Sequence, residues 1–157
     1  MTEHSIKIVY FCLENYQPLY ESLGITKFDF NRYDSPNKIV LILGGNGTGK
    51  SFIINELTPL PLEHVAFRTT SRIIPGKDGK KKIEFMVDDS LIYTCEIFYP
   101  SDKKTQCFFR KKDMVSGVEV ELNPNGNVNS YLELLEQEFG LVKNYTNIGY
   151  FSSSVKS

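Results

Sequence analysis

At 157 residues the chain is one domain's worth of sequence, long enough to bury a core and too short for a multidomain machine. Its 18 basic and 19 acidic residues leave a net charge of −1, which excludes a globally basic nucleic-acid coat, and 41% apolar with 24% charged residues excludes wholesale disorder. Cys12, Cys95 and Cys107 stand at unrelated spacings and form neither a disulfide framework nor a C-x-x-C motif; the longest clean apolar run, Ile39 to Leu43, is far below the ~20 residues of a membrane span. A soluble cytoplasmic chain with no membrane contact is expected, with a strand-rich interior, since Phe and Tyr are abundant and Trp is absent.

Ile6 to Leu13 is β-branched and aromatic with only Lys7 interrupting, a strand that Glu14 to Pro18 closes. Lys27-Phe28-Asp29-Phe30 alternates as a second short strand. Turn chemistry at Asp34 to Asn37 leads into Lys38 to Leu43, apolar on both faces like a central strand, which runs directly into Gly44-Gly45-Asn46-Gly47-Thr48-Gly49-Lys50-Ser51. The helix after Gly49 reaches only about Leu57, because Pro59 and Pro61 stop it. Ile83 to Val87 and Leu91 to Tyr99 flank Asp88-Asp89-Ser90 as a hairpin, and Gln106 to Arg110 and Val118 to Leu122 extend an antiparallel meander. Beyond the loop Asn123 to Asn127, Ser130 to Glu133 reads as a capping box, and Leu132, Leu135 and Phe139 recur at helical spacing until Gly140 ends the helix.

Gly44 to Ser51 fits G-x-x-x-x-G-K-[ST] at every fixed position, a coincidence expected by chance in roughly half a percent of chains this long. The glycines let successive N–H groups converge on phosphate oxygens at a helix N-terminus. Gly44, Gly45, Asn46, Gly47, Thr48 and Gly49 would thus cradle the phosphates of ATP, Lys50 would reach the β- and γ-phosphates, and the Ser51 hydroxyl would ligate Mg²⁺. Hydrolysis further needs an apolar strand ending in Asp. Phe85 to Asp89 offers one, but Glu84 breaks the apolar run and Ser90 follows as in a turn, so no catalytic residue is assigned.

The strand ending in Asn15-Tyr16, the following hairpin, and IVLIL with GGNGTGKS resemble the N-terminal ATPase lobe of the SbcC/SMC-like ABC ATPases that handle DNA double-strand breaks. Arg72 to Lys77 followed by KKKIEFMV and LIYTCEIFY looks like that family's loop and antiparallel sheet, and Leu122 to Asn127 looks most like its phage-encoded branch. The resemblance implies an α/β fold: a P-loop NTPase of ABC type, an N-terminal lobe with a β-rich antiparallel subdomain. It also implies ATP hydrolysis in the complete family member, nucleotide-driven engagement with a C-terminal ATPase lobe or a second copy, an SbcD-like nuclease subunit as partner, and double-stranded DNA as substrate. The family's coiled coil, zinc hook, Ser-Gly-Gly signature and acidic strand are not found in residues 1–157, and the stretch Tyr150 to Ser154, where its glutamine loop would fall, holds no Gln. The expectation is therefore a single lobe truncated before a coiled coil, binding ATP without efficient hydrolysis alone. Other classes compatible with the residues are a catalytically silent, inhibitor-like single-lobe interaction protein and a small P-loop kinase, the latter disfavoured because the strand-rich middle leaves little room for a helical lid.

Lys77, Lys80, Lys81 and Lys82 form one basic loop, and Lys103, Lys104, Arg110, Lys111 and Lys112 a second cluster. They are either solvated hairpin loops or contacts to the DNA backbone; under the resemblance Lys80, Lys81, Lys82, Arg110, Lys111 and Lys112 are the expected DNA contacts. Arg68 and Arg72 read as surface residues, and Phe108 and Phe109 as core. His4 and His64 have no histidine or cysteine at ligand spacing, so no zinc is expected.

Overall fold

The computed structural model describes residues 6–34, 52–53, 56–61 and 73–140. The phosphate-loop motif, the strand expected before it, His4, His64, Arg68, Arg72 and Tyr150 to Ser154 lie outside the described residues.

Among the described residues six strands form one sheet: β1 (Ile6–Glu14), β2 (Lys27–Asn31), β3 (Gly79–Val87), β4 (Leu91–Tyr99), β5 (Gln106–Asp113) and β6 (Glu119–Glu121), in the spatial order β2-β1-β3-β4-β5-β6. Every pairing is antiparallel. Two complete helices are described, α1 (Gln17–Leu23) and α2 (Val128–Phe139). The described molecule is thus mostly β, and the expected α/β class, a P-loop NTPase lobe of ABC type, is corrected. The physical reason lies in the connections: β3, β4 and β5 follow one another through short turns, which can join only antiparallel neighbours, whereas parallel strands need crossovers of a dozen or more residues.

The β3–β4 hairpin connects through Asp88, Asp89 and Ser90, with the Ser90 N–H donating to the Val87 carbonyl at 3.1 Å and the two central residues of that turn, Asp88 and Asp89, left-handed at φ 53° and 56°. Aspartate tolerates it because its short side chain bonds locally. These residues therefore make a turn, as their Ser90 neighbour suggested. β3 starts at Gly79, so Lys80, Lys81 and Lys82 are strand residues and not loop residues. Gly79 has no room for a side chain: an added Cβ would collide with the Ile73 side chain. The short helix α1 was not legible in the stretch that closes β1, although Pro18 in its first turn and Gly24 at its end, with φ 69°, are ordinary helix boundaries. The capping box is also corrected. Asn127 is the N-cap, its side chain accepting from the Asn129 and Ser130 N–H groups at 2.8 and 3.2 Å, while Ser130 Oγ donates inward to Asn123 Oδ1 at 2.6 Å.

One face of the sheet carries Phe11, Leu13, Ile83, Phe85, Cys95, Ile97, Cys107 and Phe109, all fully buried. Helix α2 covers it with Tyr131, Leu132, Leu135 and Phe139. Phe109 sits at the centre, stacked on Tyr93 at 5.4 Å and edge-on to Phe139 and Tyr131. Phe108 points to the opposite face, where it meets Phe98, so only one of the two phenylalanines joins this core.

Candidate functional site

The segment beyond Ser51 in sequence is described in part, and it packs on the same sheet face. Phe52, Ile53 and Glu56 are helical and buried. Leu57 is not helical, so the helix ends before Pro59. Phe52 lies against Tyr16 with ring centroids 5.6 Å apart, and Tyr131 Oη donates to the Pro59 carbonyl at 2.6 Å. Apolar contact therefore holds the beginning of the segment, and a buried hydrogen bond holds the residues just past its helical end.

Between them stands an ion pair without solvent exposure. Lys81 Nζ donates to Glu56 Oε1 at 3.0 Å and to the Glu56 carbonyl at 3.1 Å, and both side chains are 0% exposed. Burial lowers the Lys81 pKa, and the Glu56 carboxylate opposes that shift. Tyr16 meets Tyr99 edge to face at 6.1 Å, and burial, reinforced by the Tyr99 phenol and the Glu56 carboxylate, drives the Tyr16 phenol well above its ordinary value. Burial also pushes the Cys95 thiol up to about 12, so it stays protonated and unreactive at neutral pH.

The residues expected to touch DNA divide between the two faces. Lys80, Lys82, Arg110 and Lys112 lie on the face opposite the core; Lys81 and Lys111 have the other parity. A DNA contact by Lys81 is corrected outright, because a side chain with no exposed surface meets no phosphate. Lys111 stands over the Tyr93 ring at 5.6 Å. On the outer face the cations meet carboxylates and rings. Lys80 lies 3.4 Å from Glu96 and 3.7 Å from Glu14, Arg110 lies 2.8 Å from Glu96 and 3.4 Å from Glu121, Lys82 stands over Tyr10 at 5.7 Å, and Lys112 is in register with Glu119. Burial alone would raise the Glu96 pKa, but the Arg110 guanidinium, with Lys82 and Lys80, holds it below the ordinary value. The two basic clusters of the sequence thus become a lattice of mixed sign and not one positive patch. Lys103 and Lys104 stand apart from it, at an open groove of about 740 Å³ shared with Thr105, Gln106, the Asn125 to Asn127 turn and the start of α2.

The ion pair escaped sequence reasoning, which treated the lysines as a loop. Its signal was parity: counting back by twos from Phe85 and Ile83 puts Lys81 on the core face, with Lys80, Lys82 and Glu84 on the other. Nothing local in the sequence pointed to Glu56 as its partner. Among the described residues no group of three His, Cys, Asp or Glu is placed to hold a metal ion, and no helix is long and apolar enough to cross a membrane. Comparison with protein-family models, curated proteins and solved structures finds no match to this chain.

Proposed function

We propose that the chain binds ATP with Mg²⁺ through Gly44 to Ser51 and serves as the nucleotide-binding part of an SbcC-like ATPase that processes DNA ends with an SbcD-like nuclease subunit. The nucleotide binding in this proposal is carried by the complete phosphate-loop motif, with four glycines to bare the backbone N–H groups, Lys50 as the only side-chain cation within it, and the Ser51 hydroxyl as a hard oxygen donor suited to Mg²⁺; the SbcC-like role and the nuclease partner follow from the resemblance. The helical, buried Phe52, Ile53 and Glu56, which follow the motif in sequence, support it, since the motif works at a helix N-terminus.

Turnover by this chain alone is at background, because the motif supplies binding charge but no group to orient water, and binding that is equal in ground and transition states accelerates nothing. A C-terminal ATPase lobe or a second copy supplies those groups. Duplex DNA meets this chain weakly, since Lys80, Lys82, Arg110 and Lys112 share their face with Glu14, Glu96, Glu119 and Glu121.

Calorimetric titration with ATP–Mg²⁺ tests the proposal. Wild type is expected to bind and Lys50→Ala to lose that affinity with little change in stability; equal affinity in the two proteins would remove the loop as the nucleotide site.

A further inference from the structure

We propose that the open groove where the β4–β5 connection meets the turn before α2 is a binding site for a phosphate group. Its volume of about 740 Å³ lies within the ~300–1,000 Å³ range of ligand sites. Lys103, Lys104 and Gln106 line it from the β4–β5 side, Asn125, Asn127 and Asn129 from the α2 side, and all six are exposed. No carboxylate lines it, although the chain has 19 acidic residues; Asp102, next to Lys103 in sequence, is outside the lining. On the outer sheet face Lys80 and Arg110 are offset by Glu14, Glu96 and Glu121, whereas Lys103 and Lys104 make no ion pair with a described residue.

The hydrogen bonds inside the turn decide what the groove offers a ligand. Asn125 Oδ1 accepts from the Asn127 N–H at 2.9 Å, and Asn127 Oδ1 accepts from the Asn129 and Ser130 N–H groups at 2.8 and 3.2 Å. A backbone N–H only donates, so each amide oxygen must face the backbone, and what these two side chains keep for a ligand is the Nδ2 donor. Neither Nδ2 has a partner among the described residues. With two ammonium groups they make a surface that donates and is positive, the complement of an oxyanion with several acceptor oxygens. The N–H groups at the start of α2 do not carry the site, since Asn127 already uses two of them. The turn is also fixed before any ligand arrives. Buried Asn123 donates to the Cys107 carbonyl at 2.6 Å and to the Asn127 carbonyl at 3.0 Å, the Cys107 N–H donates to the Gly126 carbonyl at 2.9 Å, and Gly126, at φ 70°, lies so close to the Phe108 ring that a Cβ would stand 3.1 Å from it. Donors held in this way lose little freedom on binding.

Such a phosphate belongs either to a nucleic-acid strand or to a free phosphate ester, and the experiment separates the two. Backbone amide shifts of the full chain are followed by NMR as inorganic phosphate or, separately, a short single-stranded oligonucleotide without a terminal phosphate is added. The Lys103 to Gln106 and Asn125 to Asn129 amides are expected to shift and saturate with at least one probe; shifts at Gly44 to Ser51 are read separately, so the outcome does not depend on nucleotide binding there. Tighter binding of the oligonucleotide assigns the groove to a nucleic-acid backbone, and tighter binding of phosphate to a free phosphate ester. Lys103→Ser/Lys104→Ser is expected to weaken binding at least about tenfold and, for the oligonucleotide, to lessen the slope of log K against log salt by about 1.4, at about 0.7 for each of two single-strand contacts. Asn125→Asp keeps the oxygen that the Asn127 N–H requires but puts a carboxylate in place of the donor, and is expected to weaken binding about tenfold. No saturable shift at these amides with either probe, or either variant binding as tightly as wild type, would overturn the proposal.

Discussion

Lys80, Lys81 and Lys82 are neighbours in sequence and occupy opposite faces of one sheet. On the outer face Lys80 is still 30% exposed, 3.7 Å from Glu14 and 3.4 Å from Glu96, which it shares with Arg110. On the core face Lys81 has no solvent at all and meets the Glu56 carboxylate at 3.0 Å. The same ion in the same strand thus faces two dielectric worlds. In the outer one, water competes for each charge and any one pair is replaceable; in the inner one, water is excluded and removing Lys81 takes from the buried Glu56 carboxylate the ammonium that offsets its desolvation.

The sharpest way to break this contrast is to truncate the two lysines separately. Lys81→Met should cost about 3–5 kcal/mol in chemical denaturation, whereas Lys80→Met should cost less than about 1 kcal/mol and less still in high salt. Similar losses from both would mean that Lys81 is hydrated in solution and the faces are alike. Next in size is Tyr131→Phe, which leaves the buried Pro59 carbonyl without the 2.6 Å donor that ties the 56–61 segment to α2. A loss of about 1–3 kcal/mol is expected; a neutral result would show that the segment is not held on the core face by this bond. Asn127→Ala, which uncaps α2 at the rim of the sheet, should cost about 1 kcal/mol by thermal unfolding, and Asn127→Ser should cost less, because serine retains a capping oxygen.

The smallest effect belongs to the outer lattice and is best seen through pH. The folded-state pKa of Glu96 lies below its ordinary value, chiefly because Arg110 and the nearby lysines outweigh burial. The stability this contributes is present above the unfolded-state pKa, about 4.3 for glutamate, and is lost as pH falls through the lower folded-state value. Unfolding midpoints recorded from neutral pH down to about pH 3 should therefore fall less in Glu96→Gln than in wild type. Parallel curves would show that Arg110 does not engage Glu96 in solution.

Most strands were legible because runs of β-branched and aromatic residues fit a pleated, buried surface. β1 and β4 lie where the β-branched and aromatic runs put them, and the Asp88-Asp89 hairpin was readable from its turn chemistry. The helical Phe52, Ile53 and Glu56 fall within the span that Pro59 and Pro61 were expected to limit. Other elements were hidden by competing signals. Charge density made Lys80 to Lys82 look like a loop, yet cross-strand pairing with Glu14 and Ile97 keeps them in β3. Ser130 and Glu133 had the spacing of a capping box, but Asn127 reaches the N–H groups first and Ser130 is drawn toward Asn123.

The phosphate-loop motif is a property of the sequence by itself, because a few consecutive residues hold all the groups that its chemistry uses. Alternation and turn residues likewise determine where strands begin and bend, since backbone geometry alone converts a period of two into two faces. Which face is buried, which lysine it hides and which carboxylate meets that lysine were decided only by the tertiary structure. Glu56 and Lys81 are 25 residues apart, and a pair with that separation forms only when the packed core brings it together and excludes water from both charges.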